Sequence, residues 1–144
     1  MLIDVNLLLY ATITGMPEHD RAVAWLETQL NGDRRIALPW ESITGFLRLA
    51  TNPRVASPPL DPTDAWAVVQ GWLARPNVWT PTPTDTHGRV LGDLLTRYRP
   101  TGKRIPDAHL AALAIEHGLE ICSADTDFAR FTEVRWINPL APTR

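Results

Sequence analysis

The chain has a single cysteine, a single lysine and no long hydrophobic run. With Cys122 alone, an internal disulfide and a cysteine-rich zinc site are both excluded, and a reducing cytoplasm is the expected compartment. The apolar stretch from Leu7 to Ile13 is too short to span a bilayer, and Asp4 lies where a secretory signal would carry positive charge. We therefore expect neither membrane insertion nor secretion.

A strong excess of either charge is also missing. The formal net charge is −2, from 14 basic and 16 acidic residues, so no general attraction to nucleic acid or to an anionic membrane is expected. A polyanion would have to bind to a local patch. Six tryptophans and a hydrophobic fraction of 44% exclude an intrinsically disordered chain.

Short predicted strands alternate with predicted helices along the chain. This order is typical of a parallel sheet with crossover helices, so we expect one α/β domain over residues 1–144, with a mostly parallel central sheet flanked by helices. Asn6 is predicted to cap the first helical segment, and Thr84 or Asp85 a later one. Asp107 opens a helix that Gly118 closes. The predicted strands cover residues 2–5, 36–38, 78–79, 119–122 and 134–137, and the predicted helices cover residues 7–10, 18–30, 41–50, 62–74, 85–98 and 108–117.

Four acidic residues are predicted to meet at one edge of this sheet. Asp4 lies at the end of the first strand, Glu41 follows the second, and Asp125 follows the strand over residues 119–122. Asp107 lies at a helix start that faces the same edge in this topology. Ligands of open parallel sheets bind beyond the carboxyl ends of the strands, so these four acids are the candidate functional residues.

Each of the four also has a purely structural interpretation. Asp107 and Asp125 are of a residue type that commonly caps helices, and Glu41 is compatible with a solvated first turn. A carboxylate in an apolar strand is unfavourable unless it is paired or bound to a metal, so Asp4 is the hardest to explain in this way. The other acids are expected on solvated helix faces, for example Glu27, Asp64, Asp93 and Glu116.

Together, the four carboxylates indicate a divalent cation. Clustered carboxylates repel one another and stay ionised when a cation neutralises them. Oxygen ligands without cysteine or closely spaced histidine favour Mg²⁺ or Mn²⁺ over Zn²⁺. Such a site activates water and stabilises the charge that develops on a phosphodiester, which is the chemistry of a nuclease.

Four sequence blocks follow one another along nearly the whole chain. They are MLIDVN at residues 1–6, WES at 40–42 leading into RLATNP at 48–53, IPDAHLAALA at 105–114, and CSADTDF at 122–128 with WINPL at 136–140. In this order the blocks resemble those of the PIN-domain family, and within that family the likeness is greatest to the VapC-like toxins of bacterial type II toxin–antitoxin modules.

The resemblance implies a Mg²⁺-dependent endoribonuclease, with Mn²⁺ as a substitute, that is usually a homodimer and is neutralised by a small antitoxin protein. It assigns Asp4 and Asp107 as the principal metal ligands, with Glu41 and Asp125 completing the acidic cluster directly or through water. The implied PIN-like domain covers the whole chain.

Three further residues acquire a role only through the resemblance. Asn6 matches a polar residue two positions after the first acid and is expected to orient it. Ser123 stands where the family often has threonine. Asp127 leaves the fourth acid open between two positions, of which Asp125 is favoured because it directly follows Ser-Ala.

Positive charge beside the acids is expected to position the RNA phosphates. Four basic residues shortly before Asp107 are the candidates, although an ordinary solvated loop explains them equally well. Among the histidines no metal-binding spacing occurs, and His109 is expected to have a surface or packing role. The candidate RNA-binding residues are Arg97, Arg99, Lys103 and Arg104.

Two other function classes remain open. A phosphatase-like hydrolase would use Asp4 as a nucleophile, but it would need a second aspartate where this chain has Asn6, and Lys103 is the only lysine. A catalytically inactive PIN domain that serves as a scaffold is disfavoured because it has no reason to retain four mutually repelling acids. The apolar residues of the middle helix belong either to the core or to a partner groove, and they are Trp66, Val69 and Trp72.

Overall fold

The computed structural model describes residues 1–143. Five two-residue strands alternate with helices in these residues, and a short 3₁₀ helix spans Thr126–Arg130. The strands are β1 (Leu2–Ile3), β2 (Ile36–Ala37), β3 (Val78–Trp79), β4 (Ile121–Cys122) and β5 (Trp136–Ile137). The α-helices are α1 (Val5–Thr12), α2 (His19–Leu30), α3 (Trp40–Ala50), α4 (Pro62–Leu73), α5 (His87–Tyr98) and α6 (Arg104–Glu116).

The strands form one sheet in the order β3-β2-β1-β4-β5, and every recorded pairing is parallel. The chain winds outward from β1 through β2 and β3 and then crosses to the other side of β1 to form β4 and β5. The order therefore reverses between β1 and β4. The predicted α/β domain with a mostly parallel sheet is confirmed.

Successive residues of each strand face opposite sides of the sheet. Ile3 and Cys122 pack in a core with α1 to α4, whereas Leu2 and Ile121 pack with α5 and α6. Four of the six buried residues of α6 are alanines, whose small side chains let this helix lie close to the sheet. The result is three layers, with helices on both faces of the strands.

Three helix starts differ from the sequence prediction by two residues or more. The prediction that Asn6 caps the first helix is wrong, because α1 begins directly after Asp4, whose Oδ1 accepts a hydrogen bond from the Val5 amide at 2.8 Å. The helix predicted to open at Asp107 begins three residues earlier, at Arg104. Pro106 is tolerated there because the first turn of a helix does not use its amide hydrogens. The helix predicted from residue 85 begins at residue 87, with Thr86 at its N-cap.

The middle helix, α4, contributes mainly to the core. Val69 and Trp72 are buried, and Trp72 packs edge-on against Phe46 with ring centroids 4.9 Å apart. Trp66 is exposed and stacks on Trp40 at 6.5 Å. Within residues 1–143, none of the helices combines the length and the apolar character needed to cross a bilayer.

Candidate functional site

The candidate site lies where the strand order reverses. In open parallel sheets this point forms a crevice at the carboxyl ends of the two diverging strands. Asp4 directly follows β1 and Ser123 directly follows β4. The Asp4 amide donates a hydrogen bond to the Cys122 carbonyl at 3.0 Å, so the two strand ends are joined at this edge.

Asp4 is held by three hydrogen bonds. Its Oδ1 accepts from the Val5 amide at 2.8 Å, and its Oδ2 accepts from Ser123 Oγ at 2.7 Å and from Asn6 Nδ2 at 3.2 Å. Burial raises the pKa of Asp4, against the opposing hydrogen bonds from Ser123 and Val5, and the charge of Asp125 adds to the rise. The carboxylate is therefore fixed in orientation in a negatively charged environment.

Asn6 and Ser123 connect Asp4 to the segment after β4. Asn6 Nδ2 also donates to Ser123 Oγ at 3.0 Å, and Asn6 Oδ1 accepts from the Ala124 amide at 3.2 Å. Ser123 Oγ accepts a further hydrogen bond from the Asp125 amide at 3.0 Å. These contacts place Asn6 where it can orient the first acid.

Asp107, Asp125 and Asp127 form a compact group of carboxylates. One oxygen from each lies within 4.8 Å of the others. Asp107 is in the first turn of α6, while Asp125 caps the 3₁₀ helix through a 2.9 Å hydrogen bond from the Asp127 amide to its Oδ1. The structure thus brings both candidates for the fourth acid to Asp107, and the choice between them remains a prediction.

The electrostatics of Asp107 indicate a shortage of positive charge. Burial, together with the charges of Asp125, Asp4 and Asp127, raises the pKa of Asp107 to about 6, although Arg104 acts in the opposite direction. Arg104 Nε lies 3.9 Å from Asp127 Oδ2. The concentration of carboxylate oxygens and the raised pKa both fit a site for a hard divalent cation.

Glu41 reaches the same region from α3. A cleft of about 170 Å³ is lined by Asp4, Glu41 and Asp107, with Arg48 and His109 also at its walls. Asp107 therefore belongs both to this cleft and to the group with Asp125 and Asp127. Asp107 thus connects the two cleft acids, Asp4 and Glu41, to Asp125 and Asp127, and these five carboxylates come from four separate segments of the chain.

Comparison with known proteins identifies the family. The sequence pattern of the PIN domain matches residues 1–134. The chain belongs to the PIN domain family. Ribonuclease VapC33 of Mycobacterium tuberculosis is 46% identical over 137 residues, which cover 95% of this chain and 96% of that protein. Ribonuclease VapC37 of the same organism is 39% identical over 140 residues, which cover 97% of each chain.

Solved structures share this PIN fold. VapBC-1 from nontypeable Haemophilus influenzae aligns with a TM-score of 0.67 and 16% identity, covering 97% of this chain and 98% of that chain. VapBC2 from Rickettsia felis, whose structure includes a DNA fragment from its promoter, aligns with a TM-score of 0.65 and 17% identity. The alignment covers 95% of this chain and 96% of that chain. At these identities the likeness shows the fold alone. The resemblance to VapC-like PIN domains is confirmed.

Sequence reasoning missed one feature of this PIN domain, a chain of hydrogen bonds leading away from Glu41. Glu41 Oε1 accepts from His109 Nε2 at 2.8 Å, and His109 Nδ1 lies 3.0 Å from His87 Nε2. His87 Nδ1 in turn contacts Glu116 Oε2, and Glu116 Oε1 accepts from the Thr84 amide at 2.8 Å. We name these residues the histidine chain: Glu41, His109, His87 and Glu116.

The expectation that Glu116 is solvated is wrong, because its carboxylate is fully buried against His87 and Thr84. Burial opposes its ionisation, but the hydrogen bonds from Thr84 and His87 outweigh that effect and lower the pKa of Glu116.

The four candidate RNA-binding residues have different surroundings in this PIN domain. Arg104 lies at the acidic group through its contact with Asp127. Arg97 forms an ion pair with Glu133 near the end of α5. Arg99 and Lys103 are exposed at the two ends of the turn between α5 and α6.

Proposed function

We propose that this PIN domain is a Mg²⁺-dependent endoribonuclease and the toxin of a toxin–antitoxin module, with Mn²⁺ able to replace Mg²⁺. The observation that carries the proposal is the position of Asp107, which shares one cleft with Asp4 and Glu41 and one carboxylate group with Asp125 and Asp127. The names of the VapC ribonucleases, at 39% and 46% identity with nearly full coverage, support the same reaction.

In this proposal Asp4 and Asp107 are the principal metal ligands, and Glu41 and Asp125 complete the site. A bound divalent cation would supply an activated water and would stabilise negative charge on the phosphodiester. The protein's own contribution is preorganisation, because three hydrogen bonds fix Asp4 and α6 carries Asp107. Asp127, next to Asp125, is the alternative fourth ligand.

RNA binding requires positive charge near these acids. Arg104 is the candidate with the best position, because it lies beside Asp127 and reduces the mutual repulsion around Asp107. Arg99 and Lys103 extend this positive charge along the turn before α6, so we propose that they contact phosphates further along the RNA. Arg97 has the weakest claim because Glu133 already pairs with it.

The proposed partners are a cognate antitoxin protein and a second copy of this chain. Solved relatives of the same fold are complexes named VapBC and FitAB, which supports an antitoxin partner. A homodimer is proposed from the family resemblance, and light scattering on the purified protein would then give twice the chain mass of 16.1 kDa.

The reaction is tested by incubating purified, antitoxin-free protein with single-stranded RNA in Mg²⁺, Mn²⁺ or EDTA. We expect cleavage with either cation, none in EDTA, and none for Asp107→Asn. Asp93→Asn is the matched control, because this α5 aspartate is 76% exposed and pairs only loosely with Arg89, at 3.9 Å. Cleavage that continues in EDTA, or in Asp107→Asn at the wild-type rate, would contradict the proposal.

The toxin role needs a cellular test. Induced expression of the wild-type chain in a bacterial host is expected to arrest growth, and Asp107→Asn is expected not to do so at equal protein level. Co-expression of a cognate antitoxin should restore growth. Equal growth arrest by the wild-type chain and by Asp107→Asn would show that toxicity does not depend on the carboxylate site. If the wild-type chain neither arrests growth nor cleaves RNA, an inactive scaffold would be favoured.

A further inference from the structure

We propose that His109 is a positioning residue that holds the Glu41 carboxylate towards the cleft, and that His87 and Glu116 fix the orientation of His109. The consequence for catalysis rests on the function proposed above. The hydrogen-bond geometry itself can be measured without RNA.

Glu41 needs an external constraint because it lies in the exposed first turn of α3. Its side chain is 40% exposed, and a glutamate in that environment samples several rotamers. The 2.8 Å hydrogen bond from His109 Nε2 selects the rotamer in which the carboxylate faces α6. Glu41 and His109 both line the cleft that contains Asp4 and Asp107.

His109 is well placed to set the distance between two of the proposed ligands. It follows Asp107 by two residues on α6, so the two side chains move with the same rigid helix. Glu41 is carried by a different helix, α3. The hydrogen bond from His109 therefore ties the carboxylate of α3 to the helix that carries Asp107.

The orientation of the His109 ring is in turn fixed by His87 and Glu116, on the side away from Glu41. Glu116 lies seven residues after His109, two turns along the same face of α6. His87, at the start of α5, lies between them, with its ring at 74° to that of His109 and a centroid distance of 4.8 Å. Since both ring nitrogens of each histidine have a partner, neither ring can rotate or flip without losing a hydrogen bond.

Packing alone does not explain the hydrogen bond between His109 and Glu41 at the outer end of the histidine chain. The inner end, His87 with the buried carboxylate of Glu116, connects α5 to α6 and is sufficient for that structural purpose. The outer end leads from His109 to a partly exposed carboxylate at the cleft. Carboxylate ligands of metal sites are commonly oriented by such outer hydrogen bonds, and their loss typically lowers metal affinity or activity by about 10- to 100-fold.

Two substitutions of His109 separate positioning from packing. His109→Ala removes the donor to Glu41, whereas His109→Gln keeps an N–H near the position of Nε2. His117→Gln is the control, because His117 follows α6 at its far end and contacts the Thr82 carbonyl at 2.8 Å instead of the cleft. All three variants should unfold cooperatively close to the wild-type temperature, which shows that the fold is retained.

Mn²⁺ affinity, measured by calorimetry in the absence of RNA, is the first readout. We expect His109→Ala to weaken binding by about 10-fold or more, and His109→Gln to stay within about threefold of the wild type. His117→Gln should bind as the wild type does. With cleavable RNA the same order is expected in kcat, with little change in KM.

Nitrogen-detected NMR of the imidazoles gives a second readout that needs neither metal nor RNA. We expect a His109 Nε2–H signal that is protected from solvent exchange, and loss of that protection in Glu41→Ala. A fully active His109→Ala variant with wild-type Mn²⁺ affinity would overturn the proposal, as would a His109→Gln variant impaired as severely as His109→Ala. If wild-type protein cleaves no RNA, the proposed function fails, while the Mn²⁺ and NMR results still decide the role of His109.

Discussion

Ser123 Oγ lies 2.7 Å from Asp4 Oδ2, so a hydrogen bond joins the residue after β4 to the residue after β1. These two strands are neighbours in the sheet but come from opposite ends of the chain. The contact therefore sets the relative position of two segments that both supply carboxylates. It also explains how a buried carboxylate is tolerated, because each oxygen of Asp4 has a donor.

Replacing Ser123 should test this contact directly. Ser123→Ala leaves a buried oxygen of Asp4 without its shortest hydrogen bond and also removes partners of Asn6 and Asp125, so we expect the free energy of unfolding to fall by about 1–3 kcal/mol. Ser123→Thr keeps the hydroxyl and should lose less. Urea unfolding measures both, and an alanine variant as stable as wild type would show that the contact is not stabilising.

The pKa of Asp107 predicts how stability of the metal-free protein depends on pH. Its folded value of about 6 lies above the ordinary 3.8, so the folded protein binds more protons than the unfolded chain between these values. The contribution of Asp107 to stability is therefore largest at low pH and is lost as pH rises through about 6. In EDTA at about pH 7, the Asp107→Asn variant should have a higher melting temperature than the wild type.

Thermal unfolding across this pH range provides the check. The difference in melting temperature between Asp107→Asn and wild type should shrink as pH falls from about 7 to about 4. Asp93→Asn should show no such trend, because that side chain is exposed. A constant difference for Asp107→Asn across the range would contradict the raised pKa.

Two arginines of the predicted RNA-binding set should behave differently. Arg104→Gln removes positive charge beside Asp127, so RNA binding should weaken. The slope of the logarithm of the binding constant against the logarithm of the salt concentration should become shallower by about 0.7 to 1. Arg97→Gln should leave both unchanged, because Arg97 is paired with Glu133. Fluorescence anisotropy with labelled RNA and the inactive Asp107→Asn background measures this, and equal effects of the two substitutions would argue against the assignment.

A close approach of α1 and α3 beside the cleft gives a further prediction. A Cβ atom at Gly45 would lie 3.2 Å from Val5 Cγ2, whereas a Cβ at Gly71 in α4 would have no atom within 4 Å. Gly71→Ala should stabilise the protein by about 0.5–1 kcal/mol through backbone entropy. Gly45→Ala should stabilise the protein less than Gly71→Ala does, or destabilise it. It should also reduce cleavage by shifting Glu41 relative to Asp4. Identical behaviour of the two variants in unfolding and cleavage would contradict this.

The sequence predicts the fold and the edge of the sheet that carries the acids, because both follow from local patterns. Strands that alternate with helices indicate a parallel sheet. Asp4 directly follows β1, and Asp125 comes shortly after the end of β4. The exact helix starts are less predictable. Asp4 and Asn6 are both good capping residues, and the outcome depended on α1 beginning immediately after β1.

Local sequence patterns do not predict the histidine chain. Its members are separated by 22, 29 and 68 residues in sequence, and helical periodicity does not report which side chains meet across helices. Glu116 illustrates the difficulty. A glutamate near a helix end is expected in solvent, and only the tertiary contacts with His87 and Thr84 explain its burial.

Calorimetric titration with Mn²⁺ at about pH 7 is the most decisive measurement, because it addresses the carboxylate site without any assumption about the RNA target. Wild type and Asp93→Asn should bind the cation with equal affinity, and binding should be lost in Asp107→Asn. Binding that is the same in Asp107→Asn as in wild type, or that is absent from wild type, would show that these carboxylates do not form the metal site.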